Sequence, residues 1–149
     1  MKFEYKRELS KEERDILFTK VRQYIFKGYK FKREFGDILE LYGEDNLDIL
    51  YAYVKEDMHV ENDEESEEED KKEAIRKYAS LSKKSLFRLQ ILYSLLGCGL
   101  ASSHLGEQFL DRGEYEIAFA WFKKSLRQGN RIETGRGLMK ILHRHYRTF

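Results

Sequence analysis

At 149 residues, with 41% hydrophobic and 14% aromatic residues, the chain suits a single folded domain and is too aromatic for disorder. Its lack of proline argues against an all-β architecture, whose turns and edges normally use several. One cysteine, Cys98, excludes an intramolecular disulfide and fits a reducing compartment.

The net charge of +1 hides an uneven layout. Residues 1–56 carry twelve basic and twelve acidic residues, residues 57–73 ten acids against two lysines, and residues 74–149 fourteen basic residues against five acids. The blocks therefore bear net charges of 0, −8 and +9, a strong electrostatic dipole along the sequence. The charged stretch MKFEYKRELSKEERD lacks the apolar centre of a signal peptide. No run reaches the ~18 apolar residues of a membrane span. A cytoplasmic protein without a membrane segment is the expectation, or one exported by a route that leaves no N-terminal mark.

Ser10 with Glu13 three residues on forms a capping-box pattern that opens a first helix. Ile16, Leu17, Val21, Tyr24 and Ile25 form its apolar stripe, and Gly28 ends it. A shorter helix is predicted over Phe31 to Tyr42, with Phe35, Ile38, Leu39 and Tyr42 on one side and Gly43 as the breaker. Asp45 or Asn46 caps the next segment, Leu47 to Val54. Its Leu, Ile, Tyr and Val content also suits a strand, but the i, i+3 and i+4 pairing of apolar residues favours a helix.

Residues 57–70 read as an acidic mobile loop, with one apolar residue between His59 and Asp70. A single long helix is predicted from Lys71 to Leu96, with Ala74, Tyr78, Leu81, Leu89, Leu92, Tyr93 and Leu96 inward. Gly97-Cys98-Gly99 breaks it. A C-terminal helix, Ile132 to Arg147, has Ile132, Leu138, Ile141, Leu142 and Tyr146 on its inner side and is weakened by Gly135 and Gly137.

The most informative stretch is Ala101 to Asn130, two short amphipathic helices joined by a tight turn. Ala101, Leu105, Phe109 and Leu110 recur at helical spacing in the first, where Gly106 leaves a notch. Gly113 is free to take the left-handed conformation that ends a helix. Tyr115, Ala118, Phe119, Phe122 and Leu126 form the stripe of the second. Such a hairpin needs neighbours stacked on it to bury its apolar face.

Leu105, Gly106 and Phe109, followed by Gly113, Tyr115, Ala118, Phe122 and the small Ser125, fall at the spacing of the tetratricopeptide consensus. The hairpin resembles a unit of that family. Trp121-Phe122-Lys123-Lys124 with Gly129-Asn130 is also similar to the Sel-one-like repeat, although the loop Asp111 to Glu114 is shorter than is usual there. No second copy lies about 34 residues away, where Lys71-Lys72 and Met139-Lys140 occupy the Leu-Gly positions. The resemblance implies an all-α fold, a helical bundle or short α-solenoid of six to seven helices ending in the repeat-like hairpin. It also implies a binding partner, a protein or peptide. The candidate groove residues are Ser102, Gln108 and Arg112, with Arg88 nearby.

No catalytic constellation emerges, and the expectation is a non-enzyme without cofactor or metal. His143 and His145 would point about 200° apart on a helix, too divergent to share a metal. Cys98 reads as a small buried residue at a helix crossing, and Glu107 with Asp111 as a solvated helix face rather than an acid–base pair. The acidic run, through Asp63, Glu64, Glu65, Glu67, Glu68 and Glu69, could instead steer a basic partner. The chain would then be a small immunity or antitoxin-type inhibitor of a basic toxin. Direct nucleic-acid binding is the weakest reading. Arg127, Arg131, Arg136, Lys140, Arg144 and Arg147 would supply it with Tyr146 and Phe149, against a near-neutral total charge.

Overall fold

A computed structural model describes residues 9–23, 37–43, 45–60 and 67–145. Among them the chain is all-helical, with eight helices: α1 (Lys11–Gln23), α2 (Ile38–Tyr42), α3 (Leu47–Asp57), α4 (Glu68–Leu81), α5 (Lys83–Leu95), α6 (Gly99–Asp111), α7 (Tyr115–Arg127) and α8 (Arg131–His145). Successive helices from α3 onward pack on one another, α1 lies on α5, α2 on α4, and α8 returns to touch α6 as well as α7. The most extensive pairing is the α6–α7 hairpin.

The capping box at the start of α1 is reciprocal. Glu13 N–H donates to Ser10 Oγ at 3.1 Å, and Ser10 N–H to the Glu13 carboxylate at 3.4 Å. The stripe of α1 differs from expectation, because Ile16 is 59% exposed while Phe18 and Val21 are fully buried. Phe18 sits one helical position off the predicted face and meets the edge of Tyr53 on α3, with centroids 4.9 Å apart. Tyr24, Ile25, Gly28 and Phe31 to Phe35 lie outside the described residues. Asp37 starts α2 by accepting from the amides of Leu39 and Glu40. The segment 47–54 is helical, not a strand. Asn46 stands at its N-cap without a side-chain capping bond.

The expected single helix from Lys71 to Leu96 is two, which raises the helix number to eight. The break falls at Ser82, whose backbone is extended (φ −164°, ψ 161°) and whose Oγ accepts from Ser85 N–H at 3.1 Å. Serine competes with helical hydrogen bonding in this way and prefers a cap to a helix interior. The break resets the helical phase, so Ile75 and Tyr78 are buried on α4 while Leu81 is 56% exposed. The acidic stretch 57–70 is helical at both ends, and residues 61–66 lie outside the described part. Asp57 closes α3, and Glu68, Glu69 and Asp70 form the first turn of α4, where negative charge favours the helix dipole.

α5 and α6 are buried on nearly all sides. Leu89, Gln90, Ile91, Leu92, Tyr93 and Ser94 are each fully enclosed on α5, and Ala101, Ser102, Leu105 and Phe109 on α6. Gly97 at φ 109° and Gly113 at φ 77° supply the left-handed residues that end α5 and α6. Cys98 is buried between α5 and α6, as its flanking glycines suggested. The stripe of α7 is rotated by about one residue from the predicted one. Ala118, Trp121, Phe122 and Ser125 are buried, whereas Phe119 and Leu126 are about half exposed. On α8, Thr134 and Ile141 are buried and Ile132 is 71% exposed. The side chain of Leu142 and residues Tyr146 and Arg147 lie outside the described part.

The Phe122 ring explains two of the glycines. A Cβ on Gly106 would stand 2.8 Å from that ring, and one on Gly137 would stand closer still. Phe122 is thus clasped between α6 and α8, and both glycines are required by packing. The weakening of α8 that Gly137 suggested is the local cost of that close approach.

Candidate functional site

The predicted groove residues do not line a common surface. Ser102 is fully buried and belongs to a polar network where α5, α6 and α7 converge. Its Oγ lies 2.6 Å from Ser94 Oγ and donates to Gln128 Oε1 at 2.6 Å, and Gln128 Nε2 donates to the Ser94 carbonyl at 2.8 Å. Ser125 Oγ and Asn130 Nδ2 both donate to the Gly99 carbonyl. A satisfied network of this kind fixes helix register rather than presenting donors to a ligand. Gln108 is also buried, with Nε2 donating to Gln90 Oε1 at 2.9 Å. Arg112 lies in the α6–α7 turn and pairs with Glu114 at 3.5 Å.

Arg88 has a different role, as a clamp between helices. Its guanidinium donates to Asp57 Oδ2 at 2.7 Å, and the Tyr78 hydroxyl donates to the same oxygen at 2.5 Å. The Tyr53 hydroxyl is buried alongside without a well-formed hydrogen bond of its own. Burial, reinforced by the Asp57 charge, pushes the Tyr53 phenol up to about 12. Burial and the hydrogen bond to Asp57 push Tyr78 up as well. Both phenols therefore stay protonated at neutral pH, which suits a structural joint of α3, α4 and α5 and not an activated base.

The predicted acidic site is divided. Asp63, Glu64 and Glu65 lie outside the described residues. Glu67 is the N-cap residue of α4, and Glu68 and Glu69 are exposed, pairing with Lys72 at 3.5 and 3.7 Å. The basic C-terminal residues are partly neutralised at home. Lys140 pairs with Glu107 at 3.6 Å, Arg144 with Asp111 at 3.4 Å, and Arg136 with Glu133 at 3.7 Å. His104 is buried, its Nδ1 2.9 Å from the Tyr42 hydroxyl. Among the described residues no group of three His, Cys, Asp or Glu could hold a metal ion, and no helix is long and apolar enough to cross a membrane.

A cleft of about 410 Å³ opens between α1 and the end of α5. Leu9, Ile16, Leu17, Leu95, Leu96 and Gly97 give it apolar walls, and Glu13 and Lys20 stand along α1 one turn to either side of Ile16 and Leu17. Burial, together with the charges of Lys20 and Arg127, pushes the Lys124 amine down from its ordinary value. Sequence reasoning missed this cleft because its residues come from positions 9–20 and 95–97. Its local signal, Ile16, falls at helical spacing within the expected apolar stripe of α1.

The chain matches no protein-family model, no curated protein and no solved structure.

Proposed function

We propose that this chain is a non-enzymatic protein-interaction module that takes a segment of a partner protein into the cleft between α1 and α5. The supporting observation is Ile16, left 59% exposed at the rim of that cleft while its helical neighbours Phe18 and Val21 are fully buried. Exposed apolar side chains grouped around a concavity are characteristic of docking sites. The likeness of α6 and α7 to a tetratricopeptide unit supports the same class of function. The hairpin would serve as the rigid support, since its Ser102 and Gln108 are used internally.

The test is a photo-reactive residue placed at position 16, compared with the same residue at the exposed position 116 on α7, in native cells. A discrete protein adduct from position 16 alone, lost on changing Leu95 to Asp in a folded protein, supports the docking site. Equal labelling from both positions rejects it.

A second reading, inhibition of a basic toxin, is favoured by the exposed start of α4, where Glu68 and Glu69 share one lysine. It predicts that replacing Glu67, Glu68 and Glu69 by Ser abolishes protection against such a toxin. Retained protection would eliminate it.

A further inference from the structure

The last two helices carry the same exposed pattern twice. On α7 the apolar Phe119 and Leu126 are accompanied by Lys123 and Arg127, four and eight positions after Phe119. On α8 Ile132 and Met139 are accompanied by Arg136 and Lys140 at the same two offsets. All eight residues are exposed. Seven residues make almost two turns, so the apolar pair on each helix lies within about 20° of one line. The cations follow about 40° and 80° round from the first apolar residue, on one side of that line. The two patterns meet at the turn closed by Gly129 (φ 90°), where Leu126, Arg127, Arg131 and Ile132 stand close together in the chain.

Between Glu116 and Glu133 the chain has four cations and no acid. Arg127 and Arg131 enter no ion pair among the described residues, and Lys123 is turned over the Phe119 ring, 5.4 Å from its centroid. Arg136 and Lys140 pair with Glu133 and Glu107 at 3.7 and 3.6 Å, but surface pairs of this kind are weak and a phosphate can compete for them. Cations in the last turn of α7 suit its dipole. The dipole calls neither for exposed apolar companions nor for the same spacing on α8.

Cations interleaved with apolar side chains fit an anionic bilayer, where the cations meet phosphates and the apolar groups reach the boundary of the acyl chains. A nucleic acid offers phosphates, but Leu126, Ile132 and Met139 have no flat face on which a base could stack. A partner helix would ask for a groove, whereas both stripes stand on outward-facing helix surfaces. We propose that the outer faces of α7 and α8 dock the protein peripherally on an anionic phospholipid surface, with Leu126, Ile132 and Met139 in the headgroup layer and Arg127, Arg131 and Arg136 on lipid phosphates. This face shares no residue with the α1–α5 cleft, and the two stand or fall independently.

The experiment mixes the full-length protein with vesicles of phosphatidylcholine alone or with about 30% phosphatidylserine, and measures bound protein by flotation. At about 0.1 M salt, at least about tenfold more protein should float with the anionic vesicles, and most should be released at about 0.5 M. Arg127→Glu with Arg131→Glu should cut binding about tenfold or more, and Leu126→Ser with Ile132→Ser about threefold or more. All four side chains are exposed, so each variant should keep the urea midpoint of the parent. Arg127→Gln with Arg131→Gln replaces the charge reversal should that midpoint fall. Lys83→Glu with Lys84→Glu makes the same change in charge at the exposed start of α5 and should leave binding unchanged.

Equal flotation with neutral and anionic vesicles, or flotation with neither, overturns the proposal. A loss at Lys83 and Lys84 as large as that at Arg127 and Arg131 reduces the binding to overall charge and overturns it as well. Binding indifferent to Leu126→Ser with Ile132→Ser has the same consequence. Retention on single-stranded RNA without binding to vesicles identifies nucleic acid as the occupant instead, and also overturns it.

Discussion

Phe122 and the glycines around it show how one side chain dictates what its neighbours can be. The ring occupies the space that a methyl group on Gly106 or Gly137 would need, whereas Gly135, two residues from Gly137 on the same helix, has nothing within 4 Å. Alanine in an open helix position gains about 1 kcal/mol over glycine, so Gly135→Ala should stabilise the protein by about that amount. Gly137→Ala gains the same propensity but forces the ring aside, and overpacking costs about 1–3 kcal/mol or more at so close an approach. A net loss of about 2 kcal/mol is expected, partly recovered by adding Phe122→Leu, with urea denaturation as the measurement. Tyr53 gives a second prediction at this scale. Its phenol titrates near 12 in the folded protein against 10.0 for the free side chain, so the unfolded chain releases the proton first. Stability should fall as pH rises from about 10 towards 12. Tyr53→Phe should flatten that fall and cost little at pH 7, since the hydroxyl lacks a well-formed bond. Urea midpoints at pH 8, 10 and 11 test both points.

Helix existence was legible from periodicity, but helix phase and continuity were not always. The reciprocal Ser10–Glu13 box and the glycine ends of α5 and α6 are local chemistry, and they fell where expected. The break at Ser82 was missed because a serine between two helix-forming stretches signals a cap only when the chain turns there. On α7, both Phe119 and Trp121 fit an apolar stripe, and the Gly106 and Gly137 notches decided that Ala118, Trp121, Phe122 and Ser125 face inward. Gln108 shows the same limit. It looked like a groove residue, yet it joins α6 to α5 through Gln90, leaving Gln90 Nε2 and Gln108 Oε1 unpartnered. Either Gln90→Leu or Gln108→Leu alone should destabilise by about 1–3 kcal/mol, because it orphans a buried amide. The double Leu variant should be near neutral or more stable, which a thermal double-mutant cycle measures.

At the scale of the molecule, the charge asymmetry of the sequence becomes a set of local pairings. Glu107–Lys140 and Asp111–Arg144 lie one turn apart on α6 and α8 and staple the last helix to the hairpin. Asp57–Arg88 joins the acidic and basic blocks through α3 and α5. The α6–α8 pairs are partly exposed, so a Glu107/Lys140 double-mutant cycle should give a coupling of at most about 1 kcal/mol. That coupling should shrink on raising salt from 0.05 to 1 M, as the Debye length contracts to about 3 Å. A coupling unchanged by salt would contradict this assignment. The basic C-terminal half is thus partly consumed in holding the fold. Composition, absence of proline, capping residues and apolar spacing determined by themselves that the chain is helical and where most helices begin and end, because those signals act within one or two turns. Only the tertiary structure decided which faces are buried, that Ser102 and Gln108 point inward, and that Ile16 is left open at the rim of the α1–α5 cleft. Those outcomes depend on which side chains from distant positions compete for the same volume and charge.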